Sequence, residues 1–344
     1  MRKLDIGGVS EPDTCLAPAL LTTRCDTLDT DLIDHGACVW LQLENRPENV
    51  AVVRAALSGV AEAAELGSEV TADVLTAVSE ACNNAVLHAY GGDRGPMRVV
   101  ISSNGELVDV VVADDGSGIR RISTSAGHMG LGLPLISALA DHAVFHSPRL
   151  AGTEVRMRFR TLQADGQPVT AAGPGAASAP AAEPGFPEGA WPGSPLASTG
   201  SAIVMRVEPV AMARHLVGRV ARAAASASHF TIAGAADLYA INDAVAGLAE
   251  AAANGHLEVT IETAPHLLTL HAGPIVGLPC DHGVAGRRPA GAGPRAGWTS
   301  SGHGALDDHR LALAGLVHQM SVEPCDGGEL LRLELVDRGR APVA

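Results

Sequence analysis

Residues 161–201, "TLQADGQPVTAAGPGAASAPAAEPGFPEGAWPGSPLASTGS", are largely Pro, Gly, Ala and Ser with few large apolar side chains. Such a composition cannot bury enough surface to offset the entropy of its own ordering. It predicts a flexible linker. The chain therefore divides into a polar N-terminal tail (residues 1–35), a first unit (36–160), the linker, and a second unit (202–344). Each unit is long enough to bury a core of its own.

Bulk chemistry narrows the function. Asp and Glu number 38 against 24 Lys and Arg, a net charge of −14, which argues against direct contact with a nucleic-acid backbone. The partner is expected to be a protein or a small ligand. The six cysteines form no C-x-x-C pair, so neither a zinc site nor a disulfide framework is expected. No run of about eighteen apolar residues suggests a membrane span. "MRKLDIGGVSEPD" has no apolar core behind its basic residues, so no signal peptide is expected and a cytoplasmic location is.

The first unit reads as a strand ("CVWLQLE"), a helix over Val50–Glu65, a second helix over Thr71–Ala89, and two strands ("MRVVISS" and "LVDVVVAD"). A glycine-rich loop, a helix over Leu133–Asp141 and two closing strands follow. The alternation of period two in the strands and near 3.6 in the helices predicts a two-layer α/β sandwich. Its helices would cover one face of a mixed, largely antiparallel sheet.

Four features in this unit carry chemistry. On the second helix, "SEACNNAVLHAY", Glu80, Asn84 and His88 share a face while Val78, Ala81 and Ala85 supply an apolar one. "VVADDGSGI" ends a strand in Asp114, followed by Gly116 and Gly118, where a carboxylate and a close-approaching backbone suit a flat ligand with an amino group. "GHMGLGLPLIS" places Gly127, Gly130 and Gly132 before a helix, whose exposed N–H groups suit phosphate. "AGTEVRMRF" opens the last strand at Thr153, whose hydroxyl can support Asp114. Each has an ordinary reading alone: a self-satisfied Glu–Asn pair, a turn, a plain connection, a strand start.

As an ordered set they resemble the GHKL superfamily of ATP-binding domains, and more closely its anti-sigma-factor serine kinase branch. The strand-helix opening "WLQLENRPENVAVVRAAL" is similar as well. The resemblance spans the first unit and implies a Bergerat-type fold with ATP and Mg²⁺ as cofactors. It implies that Asn84 holds Mg²⁺, that Glu80 serves as general base toward a substrate serine, and that Asp114 reads the adenine amino group. Gly116 and Gly118 would admit the base, Gly130 and Gly132 would wrap the phosphates, and Thr153 would back up Asp114. The implied partners are a sigma factor and its antagonist, an anti-anti-sigma protein. His128 stands where family members often carry Arg near the γ-phosphate, so nucleotide binding without phosphotransfer is an alternative. A histidine-kinase catalytic domain is a third reading, disfavoured because no phosphoacceptor hairpin precedes residue 36.

The second unit repeats the order of the first. "ENVAVVRAAL" aligns with "EPVAMARHLV", "VLTAVSEACNNAVLHAY" with "DLYAINDAVAGLAEAAA", "LVDVVVADDGSGI" with "HLLTLHAGPIVGL", and "GTEVRMRF" with "GELLRLEL", indicating a tandem duplication. In this alignment Glu80 becomes Asp243, Asn84 becomes Gly247, Asp114 becomes Gly273, Thr153 becomes Glu329, and the second glycine group falls on "LDDHR". The fold is expected to persist without nucleotide binding. "GVAGRRPAGAGPRAGWTSSGHG" (Gly283–Gly304) reads as disordered. The degenerate copy is expected either to take the partner's place within one chain, as an intramolecular pseudo-dimer, or to bind a regulatory protein, with a homodimer as the alternative assembly.

Overall fold

The computed structural model describes residues 37–118, 132–147, 152–161, 202–251, 255–278, 304–325 and 327–337. The expectations for the tail, the linker, Gly130, His128 and nearly all of Gly283–Gly304 lie outside the described residues.

The first half opens with β1 (Ala37–Glu44), in which Val39, Leu41 and Leu43 are buried at alternate positions. Helix α1 (Pro47–Ala63) starts three residues before the predicted Val50. Pro47 in the first turn has its φ already set and gives up only an N–H that a helix start leaves free, and Glu48 suits the positive end of the helix dipole. Helix α2 (Ser68–Asn84) passes into a π-turn over Ala85–Ala89. Strands β2 (Pro96–Ser103) and β3 (Leu107–Asp114), helix α3 (Gly132–Leu139), β4 (His142–His146) and β5 (Thr153–Arg160) complete this half.

The second half runs β6 (Ile203–Glu208), a 3₁₀ turn (Val210–Met212), α4 (Ala213–Ala227), α5 (Ile232–Ala251), β7 (Leu257–Ala264), β8 (Leu267–Ile275), α6 (Gly304–Leu316), β9 (Gln319–Cys325) and β10 (Gly328–Val336). Its strands and helices follow one another in the same order as those of the first half.

All ten strands form one sheet, in the order β4-β5-β3-β2-β1-β6-β7-β8-β10-β9. Every ladder among the described residues is antiparallel, in keeping with the largely antiparallel sheet expected from the sequence. The short β2–β3, β4–β5, β7–β8 and β9–β10 connections require this for those four pairs, since a parallel pair needs a long crossover. The two halves meet where β1 pairs with β6, with Val39 opposite Val207 and Leu41 opposite Met205. Above that seam α1 packs on α4 so closely that a Cβ on Gly59 would lie 2.5 Å from the carbonyl oxygen of His215. Glu62 pairs with Arg219 at the rim. Val39, Leu41, Val53, Leu57, Met205, Leu216 and Val220 belong to one buried cluster spanning both halves, so apolar burial continues across the seam.

The face of the sheet away from this core carries ion pairs, among them Arg158 with Asp109 at 2.6 Å and Arg206 with Glu258 at 3.4 Å. The Arg206 guanidinium also stands 5.6 Å from the Trp40 ring centroid.

The burial pattern corrects the sequence alignment of the halves. Asn49, Val52, Val53, Ala56 and Leu57 of α1 match Ala213, Leu216, Val217, Val220 and Ala221 of α4. Glu208 ends β6 as Glu44 ends β1, so it is the counterpart of Glu44 and not of Glu48. On α5, Leu238, Ile241, Val245 and Ala246 are buried as Val74, Ala77, Ala81 and Cys82 are on α2. Glu80 therefore matches Ala244, not Asp243, and Asn84 matches Leu248, not Gly247. Gly273 pairs with Glu258, which moves the counterpart of Asp114 one residue on, to Pro274. The core-facing period, set by packing, decides these registers where residue identity misleads.

Candidate functional site

Asp114 ends β3 with Met97 of β2 on one side and Thr153 of β5 on the other. Its side chain is buried, and its Oδ1 accepts the N–H of Gly116 at 2.9 Å. The Thr153 N–H and hydroxyl also donate to this carboxylate. Burial raises the Asp114 pKa above the ordinary Asp value despite these hydrogen bonds. The carboxyl is thus held in one orientation with acceptor capacity left over.

The turn after Asp114 is tied to the end of the α2 helix. Ser117 N–H donates to the carbonyl of Ala89 at 2.7 Å. Gly116 lies so close beneath Ala89 that a Cβ would fall on that carbonyl. Gly152, at φ +73, donates its N–H to the Gly116 carbonyl at 2.9 Å and leaves no room for a side chain beside Asp114. Gly118, at φ +74, faces the hydroxyl of Ser147.

Tyr90, which follows the π-turn, is a site residue that sequence reasoning misses. Its hydroxyl donates to the Pro96 carbonyl at 2.6 Å and accepts the Asp115 N–H at 2.8 Å. Burial, together with the neighbouring Asp114 and Asp115 carboxylates, pushes this phenol up to about 12, so it stays protonated. Asp115 in turn pairs with Arg98 through both carboxylate oxygens. The aromatic residue six positions after Asn84 is the only sequence signal for this brace.

Glu80 and Asn84 converge on the first residue of α3. A Cβ on Gly132 would lie 3.4 Å from Glu80 Oε2, 3.4 Å from Asn84 Nδ2 and 3.5 Å from Asn84 Oδ1. The structure thus brings together three positions that sequence places far apart. Asn84 Nδ2 is buried and has no hydrogen-bond partner among the described residues, an expensive arrangement unless another group supplies one. His88 is exposed, and Gly130 lies outside the described residues.

These residues fit a magnesium nucleotide. No group of three or more His, Cys, Asp and Glu among the described residues would hold a metal unaided. Mg²⁺ commonly takes only one or two protein oxygens and completes its shell with phosphates and water. The Asn84 amide oxygen and Glu80 carboxylate are hard donors of that kind. The opposite end of the site offers the buried Asp114 acceptor and a turn with glycine at 116 and 118.

The second half closes the corresponding space. With Leu313 and Val317 of α6 matching Ile136 and Ala140 of α3, His309 stands where Gly132 stands in the first half. The His309 ring packs directly on Gly247. Glu329, the counterpart of Thr153, accepts the Gly277 N–H at 3.0 Å, and Pro274 offers no carboxylate.

The family model of the histidine kinase-like ATPase domain matches residues 43–159. Two curated relatives, each named serine-protein kinase RsbW, come from Bacillus cereus and Bacillus thuringiensis subsp. konkukian. Both are 28% identical over 148 residues, covering 38% of this chain and 92% of the relative. Among solved structures, the RsbU and RsbW domains of Rv1364c from Mycobacterium tuberculosis align at 24% identity and a TM-score of 0.29, covering 36% of this chain and 31% of that one. Among the described residues no helix is long and apolar enough to cross a membrane. Residues 43–159 of the chain are thus similar to histidine kinase-like ATPase domains and, among curated proteins, to the serine-protein kinases named RsbW.

Proposed function

We propose that the chain is an ATP-binding anti-sigma regulator: its first domain, residues 36–160, sequesters a sigma factor and phosphorylates a serine of an antagonist protein. The observation that carries this reading is the convergence of Glu80 and Asn84 on Gly132, with the Asn84 amide nitrogen buried and without a partner among the described residues. The similarity to proteins named serine-protein kinase supports the reaction class.

In this reading Asp114 accepts a hydrogen bond from the adenine amino group, held in aim by Gly116 and Thr153. Asn84 holds Mg²⁺, which when bound neutralises charge on the phosphates and fixes their orientation. Glu80 orients the serine hydroxyl and takes its proton as the serine oxygen bonds to the γ-phosphorus. The bond from that phosphorus to the β,γ-bridging oxygen breaks, and ADP leaves. Positioning and charge neutralisation carry most of the catalysis in such transfers.

The second domain, residues 202–344, is proposed to be a duplicated copy that has lost the nucleotide and kept the seam. By pairing β6 with β1 it takes the position a second subunit would otherwise occupy.

One sequence feature favours a second reading, nucleotide-gated sequestration without transfer: His128 supplies less fixed positive charge than Arg to a developing phosphoryl transition state. Incubation with γ-labelled ATP and candidate antagonist proteins separates the two. Label on the antagonist that disappears with Glu80→Ala supports the kinase. Nucleotide binding without label supports the second reading.

A further inference from the structure

The register of β2 and β3 pairs Met97 with Asp114, and one step further it sets Pro96 opposite Asp115. There the Tyr90 hydroxyl stands between the two main chains, accepting the Asp115 N–H at 2.8 Å and donating to the Pro96 carbonyl at 2.6 Å. β3 therefore parts from β2 at the residue after Asp114, with a phenol as the spacer. The Asp115 carboxylate pairs with Arg98, so the backbone and the side chain of this residue are both held.

Tyr90 is itself seated. Its ring lies against Gly95, where a Cβ would fall 2.2 Å from Tyr90 Cε1. Gly95 is fixed in turn by Asn45, the buried residue that follows β1. The Asn45 N–H donates to the Gly95 carbonyl at 2.9 Å, the Gly95 N–H donates to Asn45 Oδ1 at 2.9 Å, and Asn45 Nδ2 donates to the Asp93 carbonyl at 3.3 Å. A chain of contacts thus runs from the end of the seam strand to the Asp114 turn, the end of the site assigned to the base.

We infer that Asn45 and Tyr90 are positioning residues that set base selectivity. They act through the Asp115 backbone and fix the direction in which the Asp114 carboxylate accepts, so that a base with an amino group is preferred to one with a carbonyl oxygen in the same place. A hydrogen bond weakens steeply with misalignment, and a carbonyl oxygen facing a fixed carboxylate brings together two acceptors with no proton between them. Aim therefore decides the preference. The inference rests on the proposed reading of the adenine amino group by Asp114.

The test titrates MgATP and the magnesium salt of inosine triphosphate, which carries a carbonyl oxygen in place of the amino group, into the full chain and into Tyr90→Phe, Asn45→Ala and Asn45→Asp. Tyr90→Phe keeps the ring on Gly95 and removes only the hydroxyl. It is expected to weaken MgATP by roughly fivefold, the worth of one hydrogen bond, and to leave the inosine nucleotide unchanged. Asn45→Ala should act in the same direction, and Asn45→Asp, which keeps the oxygen that accepts the Gly95 N–H, should restore most of the preference. A residue that merely supported the fold would weaken both nucleotides alike. Equal loss for both nucleotides, or loss for neither, in Tyr90→Phe overturns the inference, while a wild-type preference for MgATP leaves the reading of Asp114 standing. A wild type that binds the two nucleotides equally sinks that reading and the inference with it.

Discussion

The N–H of Ser117 donates to the carbonyl of Ala89 at 2.7 Å, and with the Asp115 N–H on the Tyr90 hydroxyl it ties the turn that follows Asp114 to the helix that carries Glu80 and Asn84. The two ends of the candidate nucleotide site are therefore mechanically joined. Gly116 is the residue that lets them approach.

Gly116→Ala tests that joint. A methyl group there meets the Ala89 backbone, which cannot rotate away as a side chain can. The substitution is expected to cost about 1–3 kcal/mol of stability, as overpacking does, and to weaken nucleotide binding. Denaturant unfolding alongside an ATP titration checks both.

Asp114→Asn should lower ATP affinity by roughly ten- to hundredfold, the size of a hydrogen bond to a charged group. The same substitution has a pH signature. Burial holds the folded Asp114 pKa above the ordinary value of 3.8, so the unfolded chain ionises this group first. Its contribution to stability is greatest at low pH and is lost as pH rises from the unfolded value through the folded one. Urea midpoints measured across that acidic window should decline more steeply for the wild type than for Asp114→Asn.

The seam between the halves gives a contrast between two neighbouring changes. Gly59→Leu drives a side chain into the His215 carbonyl and Leu216 and is expected to destabilise the chain by about 1–3 kcal/mol. Arg219→Ala removes only the half-exposed pair with Glu62 and should cost less than about 1 kcal/mol. Thermal unfolding of the two variants, with the wild type as reference, measures the difference.

With β1 already paired to β6, the chain should be monomeric. Light scattering on the full chain is expected to return the mass of one chain. A fragment ending at residue 161 leaves the β1 edge and the α1 face uncovered, so the fragment should self-associate.

Much of this architecture is legible in the sequence because its signals are local. "LVDVVVAD" alternates as a half-buried strand must, and the four-residue spacing of Glu80 and Asn84 places both on one helix face before any contact is known. What that face meets is non-local: Gly132 reaches Glu80 across the packing of α3 on α2, and no spacing rule encodes it. Tyr90 escapes notice because an aromatic at a helix end reads as core, and its bracing hydroxyl shows only in three dimensions. The alignment of the halves slips for a related reason. Sparse identities such as Glu48 with Glu208 compete with the burial period, and the period is what packing enforces.

The most direct test of the whole account is the number of nucleotides bound per chain, measured by calorimetric titration of MgATP into protein of known mass. One complete site beside one closed by His309 predicts a single nucleotide per chain, lost in Asn84→Ala and unaffected by Arg332→Ala on the distant sheet face. Two nucleotides per chain, or one that persists in Asn84→Ala, would contradict the assignment of the site to the first half and to that helix face.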